Sequence, residues 1–376
     1  MDQNYIPDLF FIELTKACDY KCIHCRASSI EKFGDDEMRR PMIKSVLENI
    51  SQSFPRKPHI VFTGGNPLMH PDFNGIMADA THLDLNFSVS MSAGDKLNPE
   101  TLFSMEENGV KSISLSIDGS PSTHDHIRNM KGSFRKTVEI ASMIRAEDLK
   151  LQINTTIMRR NMMELPFVLY TLNKLGIRTW ELFFLIKTGR GANEEPISSI
   201  DSEEVLKYLY LLKLGGYSIR TVEAPEIKRI EAQVIEEGRV EGGEIFRELV
   251  KETRRLCGLD LMSLEIPSRK QNSRKTRTLF LSSTGNVYVS GLFDLKLGNV
   301  KINKIGDIVK DSDVLGNLLD PKNLVGKCSN CEFNLDCGGS RARAYHETGN
   351  YLESDPMCLY IPVRQKNAFN KTINSY

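Results

Sequence analysis

The stretch FFIELTKACDYKCIHC, residues 10–25, joins an apolar run to a loop that holds three of the eight cysteines. The run FFIELT has the composition of a buried β-strand, and the loop after it carries Cys18, Cys22 and Cys25. A disulfide needs an even pair of cysteines, and a closed metal cage usually takes four ligands. Three cysteines in the loop that follows a strand therefore predict a reactive metal site with one ligand position left open.

Runs of this kind alternate with amphipathic segments of helical length up to about residue 190. Repeated strand–helix units predict right-handed crossovers and a parallel sheet, and several runs are apolar almost throughout, as strands buried on both faces should be. Six units fall short of the eight that close a barrel, so we expect an α/β fold built on a partial (β/α)6 TIM-type barrel, with its chemistry at the C-terminal ends of the strands. The predicted strands are FFIELT (10–15), HIVFTGG (59–65), LNFSVSMS (85–92), SISLSID (112–118), LQINTTI (151–157) and WELFFLI (180–186).

The sequence changes character after this alternation. A charged, helical stretch is followed by a hairpin pattern, LFLSSTGNVYVSG (279–291), and then by a loop-rich tail with clustered cysteines. We therefore expect a barrel domain over 1–215, a helical bridge over 216–256 and a cysteine-rich domain over 257–376.

Composition excludes several classes of protein. The 376 residues carry 49 basic and 49 acidic side chains, so binding of nucleic acid through bulk charge is not expected. The N-terminus lacks the basic and apolar regions of a signal peptide, and no run approaches the roughly 18 apolar residues of a membrane span. We expect a cytoplasmic protein whose cysteines stay reduced and serve as metal ligands or catalysts.

The spacing Cys-x3-Cys-x2-Cys suits three corners of a [4Fe–4S] cluster, whose fourth iron then remains open to a small molecule. Two alternatives remain on spacing alone. The cysteines could hold zinc with His24 as a fourth ligand, or they could be buried apolar side chains.

The cysteine loop after the first strand and the Gly-Gly motif at the end of the second resemble the radical S-adenosylmethionine (radical SAM) enzymes. The resemblance implies that the open iron is chelated by the amine and carboxylate of SAM. TGGNP (63–67) corresponds to the family's Gly-Gly-Glu-Pro motif, in which backbone atoms and the acid hold the SAM amine. Asn66 replaces the acid, and its amide oxygen can accept a hydrogen bond but brings no charge.

The resemblance also implies SAM contacts at the ends of the later strands. A polar residue at a strand end is about as often a turn or cap residue, so the prediction depends on the whole set. Ser90, Ser92 and Leu185 are further candidates, and no catalytic acid, base or nucleophile is assigned. The predicted SAM-binding residues are Gly64, Gly65, Asn66, Pro67, Ser116, Asp118, Arg128, Asn154, Thr156 and Ile186.

The tail holds a second set of cysteines with a full count of thiolates: Cys328, Cys331, Cys337 and Cys358. This set suits a second [4Fe–4S] cluster with no open position, and zinc is the alternative. The tail resembles the SPASM/twitch extension of radical SAM enzymes. A full SPASM domain holds a further cluster, but Ser290, Gly291 and Arg341 occupy positions that would carry its cysteines. Cys257 is then better explained as a packed thiol than as a ligand.

The resemblance implies an activity. Radical SAM enzymes cleave SAM reductively to a 5′-deoxyadenosyl radical, with an electron donor such as ferredoxin or flavodoxin, and the radical removes hydrogen from a substrate C–H bond. LQINTTIMRRNMMELP (151–166), GKCSNCEF (326–333) and CGGSRARAY (337–345) resemble the radical SAM/SPASM proteins of the alternative haem route, which oxidatively decarboxylate propionates of iron-coproporphyrin. TVEAPEIKRI (221–230) indicates a sister group often labelled haem-biosynthesis-like.

We therefore expect a tetrapyrrole substrate whose propionates need cationic anchors. Lys187, Arg190, Arg159 and Arg160 follow the last two predicted strands, although ordinary solvated charges would look the same. Two other functions remain open: a maturase of a ribosomal peptide or another cofactor precursor, and a non-catalytic iron–sulfur carrier or sensor.

Overall fold

A computed structural model describes residues 5–147, 149–269 and 275–363. The strands are β1 (Leu9–Thr15), β2 (His59–Gly64), β3 (Phe87–Ser90), β4 (Ile113–Ser116), β5 (Leu151–Ile157), β6 (Thr179–Phe184), β7 (Ser218–Val222), β8 (Thr278–Leu281), β9 (Asn286–Tyr288) and β10 (Lys296–Asn299). The helices are α1 (Arg40–Ser53), α2 (Phe73–His82), α3 (Pro99–Glu107), α4 (Pro121–Arg128), α5 (Ser133–Ala146), α6 (Leu165–Lys174), α7 (Ser199–Leu214), α8 (Ile227–Glu237), α9 (Glu244–Cys257), α10 (Ile305–Lys310), α11 (Asp313–Leu319), α12 (Gly326–Ser329) and α13 (Arg341–Thr348).

The strands in the described ranges form one sheet in the order β10-β9-β8-β1-β2-β3-β4-β5-β6-β7. Strands β1 to β7 follow the chain order and pair in parallel, with helices between consecutive strands. The predicted α/β architecture with a parallel strand–helix core is confirmed. The C-terminal ends of β1 to β6 therefore lie along one edge of the sheet, which is where the predicted site residues fall.

The segment predicted as a helical bridge, 216–256, differs from the expectation. It begins with a seventh strand, β7, which pairs in parallel with β6. The strand is only five residues long and lies between two helices, so its alternation was too short to stand out. The predicted hairpin forms between β8 and β9, but β8 also pairs in parallel with β1. The sheet thus continues from the barrel into the tail, and the three domain limits stay a prediction.

The strands alternate in burial instead of being apolar on both faces. In β5, Leu151, Ile153 and Ile157 are buried in the main core, whereas Gln152 and Asn154 are half-buried on the opposite face. The apolar face of the sheet packs against the helices, as the shared core cluster shows. The other face carries polar side chains because it lines the inside of the curved sheet instead of a helix layer. That face leads to the edge where the cysteine loop lies.

Helix α7 is extensively buried, with Val205, Leu206, Leu209 and Leu212 in the core. It packs against α8 and α9, and the hydroxyl groups of Tyr208 and Thr253 share a buried hydrogen bond of 2.8 Å. This burial belongs to the interior of a folded domain. Neither α7 nor any other helix in the described ranges combines the length and apolar character needed to cross a membrane.

Candidate active site

The cysteine loop follows β1, and N–H groups surround its sulfurs. The backbone N–H of Tyr20 lies 3.4 Å from the Sγ of Cys18, and that of Ser29 lies 3.5 Å from the Sγ of Cys25. Arg128 Nη1 approaches the Sγ of Cys22 at 3.8 Å. N–H donors directed at sulfur stabilise thiolates, which is the form in which cysteine binds metal.

The three sulfurs also affect one another electrostatically. Burial raises the pKa of Cys18 to about 11, and repulsion from the nearby Cys22 and Cys25 adds to the shift. Burial likewise raises the pKa of Cys22, although Arg128 opposes the shift. Three thiolates can therefore coexist in this loop only if a bound positive charge compensates them, which iron would supply.

The donor set of the loop is three thiols, the ligand type that an iron–sulfur cluster uses. Within residues 5–147, 149–269 and 275–363, no three His, Cys, Asp or Glu side chains are arranged to hold one metal ion. A four-iron cluster spreads its thiolates over different irons, whereas zinc collects its ligands around one centre. His24, the alternative fourth ligand, is half-buried, and burial together with Arg128 lowers its pKa to about 4. It is therefore neutral at physiological pH.

Gly64 and Gly65 bring the end of β2 against the cysteine loop. The N–H of Gly65 donates to the carbonyl of Thr15 at 2.7 Å, and the N–H of Asn66 donates to the carbonyl of Ala17 at 2.7 Å. A Cβ on Gly65 would lie 2.5 Å from the carbonyl oxygen of Lys16 and closer still to that of Ala17. The glycines are thus required for a close backbone approach that fixes the loop.

Asn66 is fully buried, and its side-chain amide already has two hydrogen-bond partners in the protein. Its side chain is 0% exposed, its Nδ2 donates to Asp19 Oδ2 at 2.8 Å, and its Oδ1 accepts from the N–H of Leu68 at 3.2 Å. That oxygen caps the helical turn Pro67–Met69, and the contact of Asn66 with the SAM amine stays a prediction. Pro67 is buried at the start of the same turn.

Asp118 is also fully buried, and its side chain is bonded to Arg128 and to the backbone of β5. Its Oδ2 accepts from Arg128 Nε at 2.7 Å, and its Oδ1 accepts from the N–H of Thr156 at 3.0 Å. Burial raises the pKa of Asp118, but Arg128 and two histidines outweigh it and hold the pKa below its usual range. Arg128 thereby links the end of β4 to Cys22.

The remaining predicted SAM contacts lie on the next strands. Ser116 ends β4 beside Asn154 of β5, and both are half-buried on the polar face. Asn154 Oδ1 accepts from Gln152 Nε2 at 2.8 Å. Thr156, two residues after Asn154 in β5, is half-buried, whereas Ile186, which follows β6 in the chain, is 4% exposed. The structure brings this set to one edge, and its contact with SAM stays a prediction.

Arg190 has a function that the sequence reasoning missed. Its guanidinium donates to the carbonyls of Cys22 (2.8 Å) and Ser29 (3.1 Å) and to the Ser29 hydroxyl (2.8 Å), and its backbone N–H donates to the carbonyl of Cys25 (3.0 Å). Gly189 has a φ of +53°, and a Cβ there would overlap the backbone of the loop. Arg190 thus fixes the cysteine loop and is not a free propionate anchor. Gly189 and Gly191, which flank Arg190, are the sequence feature that could have indicated this role.

The other predicted anchors differ in their surroundings. Arg159 pairs with Glu195 at 2.6 Å and Arg160 with Glu194 at 2.9 Å, both near the surface. Lys187 is exposed, and no partner is found for it in the described part of the chain. Of the four cations, Lys187 is the one that is open to a substrate carboxylate.

The similarity of this chain to known proteins shows its family. The pattern of the Radical SAM superfamily matches residues 12–166. The AdoMet-dependent heme synthase of Methanosarcina barkeri (strain Fusaro / DSM 804) is 32% identical over 361 residues, which cover 96% of this chain and 98% of that protein. This chain belongs to the radical SAM superfamily.

Further relatives agree with this assignment. The AdoMet-dependent heme synthase of Nitratidesulfovibrio vulgaris is 31% identical and covers 94% of this chain and 92% of its own length. The structure of anSMEcpe with bound AdoMet matches with a TM-score of 0.63 at 17% identity, covering 98% of both chains, which shows a shared fold. The predicted resemblance to radical SAM enzymes is confirmed, and the family uses SAM and a [4Fe–4S] cluster.

The four cysteines in the tail of this radical SAM enzyme are influenced by two cations, the buried Arg229 and the exposed Lys275. The charge of Arg229 acts on Cys331, Cys337 and Cys358, and that of Lys275 is coupled to Cys328 and Cys337. Burial raises the pKa of Cys337 well above its usual value, and Glu226 adds to the shift. Bound metal ions would offset the negative charge of these thiolates.

Other residues stand at the positions where a full SPASM domain carries the cysteines of its further cluster. Gly291 lies against Arg26, whose Nε would be 3.1 Å from a Cβ there, and Arg26 pairs with buried Glu13 at 2.8 Å. Arg341 donates to the backbone carbonyls of Tyr351 and Glu353. Cys257 lies elsewhere, with its Sγ 4.0 Å from the carbonyl of Pro166 on α6. This placement supports the interpretation of Cys257 as a packed thiol.

Proposed function

We propose that this enzyme cleaves SAM and oxidatively decarboxylates propionate side chains of an iron tetrapyrrole in haem biosynthesis. The observation that carries the proposal is the full-length similarity to AdoMet-dependent heme synthases, joined to a cysteine loop that is fixed at the C-terminal edge of the sheet. When bound there, a [4Fe–4S] cluster supplies the electron that splits SAM into methionine and a 5′-deoxyadenosyl radical.

The reaction sets a clear electron balance. Removal of one hydrogen atom from the propionate carbon next to the ring leaves a carbon radical. Loss of carbon dioxide together with one electron then gives a vinyl group. Each side chain therefore consumes one SAM and releases one electron, which needs an acceptor.

The residues of the chain divide this work. The clamp made by Arg190, Gly65 and Arg128 holds the cysteine loop in place, and the polar face of the sheet supplies Ser116 and Asn154 toward the nucleotide. Lys187, exposed behind β6, offers a charge to a propionate.

We infer that Cys328, Cys331, Cys337 and Cys358 would hold a second [4Fe–4S] cluster, which would supply an acceptor for the released electron. The support is the charge environment, since Arg229, Lys275 and Arg341 offset the negative charge of a reduced cluster. A ferredoxin or flavodoxin would supply electrons to the first cluster. Both electron donors fit a reducing, cytoplasmic setting.

The test is anaerobic turnover of reconstituted enzyme with iron-coproporphyrin, SAM and a reductant, followed by mass spectrometry. We expect each converted side chain to lose carbon dioxide and two hydrogen atoms, with formation of 5′-deoxyadenosine. If SAM is cleaved but iron-coproporphyrin is unchanged, the tetrapyrrole assignment fails, and peptide-dependent cleavage would then support the maturase function.

A further inference from the structure

Four carboxylates lie around the cysteine loop, and three of them are fully engaged. Asp118 is held by Arg128 and the N–H of Thr156, as described above. Glu13 pairs with Arg26 at 2.8 Å and accepts from Ser283. Glu37 is buried and accepts from Thr15 Oγ1 at 2.7 Å and from two backbone N–H groups. The fourth carboxylate, Asp19, follows Cys18 directly in the loop.

Asp19 is held by one oxygen only. Its Oδ2 accepts from Asn66 Nδ2 at 2.8 Å, while no group in the described ranges is bonded to its Oδ1. Asp19 is half-buried and forms no ion pair with a described residue. It is therefore the carboxylate of this edge that has both a negative charge and an oxygen open to a ligand.

The surroundings of Asp19 are built to orient it. Asn66 is itself fixed, because its Oδ1 accepts from the N–H of Leu68 at 3.2 Å. Gly94, in the loop after β3, leaves room for the pair: a Cβ there would overlap Asp19 Oδ2 and lie 3.1 Å from Asn66 Nδ2. Residues from the ends of three neighbouring strands thus converge on one carboxylate.

We propose that Asp19 accepts a hydrogen bond from the amine of SAM, with Asn66 and Gly94 as positioning residues. The inference rests on the proposed binding of SAM at this loop. An amine keeps N–H donors when its nitrogen binds a metal, and a carboxylate is the strongest acceptor that proteins offer to such donors. The negative charge that Asn66 does not carry is thereby supplied from the cysteine loop.

The test measures SAM affinity of the reconstituted holoenzyme by equilibrium dialysis. Asp19→Asn is expected to weaken SAM binding roughly ten- to hundredfold, the range for a hydrogen bond to a charged group. Binding of a SAM analogue whose α-amine is replaced by hydrogen should hardly change in this variant, because the analogue lacks the N–H donor. A purely structural role of Asp19 would weaken both ligands alike.

Iron counts of wild type and variant show whether the clusters assemble equally. Gly94→Ala provides a second variant, since it displaces Asp19 without removing its charge and should also weaken SAM more than the analogue. If SAM and the analogue lose affinity equally, or if neither variant changes SAM affinity, the role of Asp19 is overturned. If wild-type holoenzyme itself does not bind SAM, the proposed function fails instead.

Discussion

At the scale of single residues, Arg190 has the largest effect on the geometry of the cysteine loop. Its side chain makes three hydrogen bonds to Cys22 and Ser29. We expect Arg190→Ala to lose about 1.5–3 kcal/mol of loop stabilisation for each charge-assisted bond that water does not replace. Iron and sulfide analysis should show reduced occupancy of the first cluster. Lys187→Ala is the matched control, since Lys187 is exposed and should leave the iron content unchanged; equal losses in both variants would contradict the clamp.

Asp118 provides a second prediction at this scale. Asp118→Asn leaves Arg128 buried without its counter-charge, which should cost about 3–5 kcal/mol of unfolding free energy near pH 7. The pKa of Asp118 is below its ordinary value of 3.8 in the fold, so its stabilisation is present above that value and is lost as the pH falls through the folded pKa.

Urea unfolding of the apoprotein at neutral and acidic pH checks the predicted direction of this pH dependence. The destabilisation by Asp118→Asn should be largest at neutral pH and should shrink below pH 3.8. A destabilisation that is independent of pH would show that the carboxylate charge is not what Arg128 requires.

Single residues are also where sequence reasoning failed most clearly. The cysteine triplet and the Gly-Gly motif were predictable because their spacing is dictated by the chemistry of a cluster and a close turn. The full burial of Asn66 and Asp118 was not predictable, since a sequence does not show which polar side chains the fold encloses. Asp19 and Arg190 were missed as parts of the machinery because their partners lie 47 and 161 or more residues away.

At the scale of elements, the junction of β1 and β2 is decisive for the site. Gly65→Ala would push a Cβ into the carbonyls of Lys16 and Ala17, so we expect displacement of the cysteine loop and weaker cluster assembly. Gly316→Ala is the control, since a Cβ on this helical glycine meets nothing within 4 Å and should be neutral or stabilising. Iron content and thermal melting of both variants measure the difference. Normal iron content in Gly65→Ala would contradict the requirement.

The strand elements themselves were largely predictable, because each of the first six runs alternates or is apolar over several residues. β7 was not, since five residues between two helices give too weak a signal. The pairing of β8 with β1 was also hidden, because 269 positions separate Leu281 from its partner Ile12 and nothing local indicates which strand it joins. Non-local pairing is decided by the packing of the complete sheet.

At the scale of the whole molecule, the two cysteine sets should behave as separate clusters. Wild-type protein reconstituted anaerobically should bind about eight irons, and replacement of Cys18, Cys22 and Cys25 by alanine should leave about four. Replacement of the four tail cysteines should leave the complementary half. A tail set that binds zinc and no iron would contradict the second cluster without affecting the first.

The most direct test of the central claim is electron paramagnetic resonance of the reduced holoprotein, recorded with and without SAM. SAM should change the signal of the cluster at Cys18, Cys22 and Cys25, and 5′-deoxyadenosine should form. The change should persist when the tail cysteines are replaced and disappear when the N-terminal three are replaced. A signal that SAM leaves unchanged in the wild-type holoprotein would contradict the account.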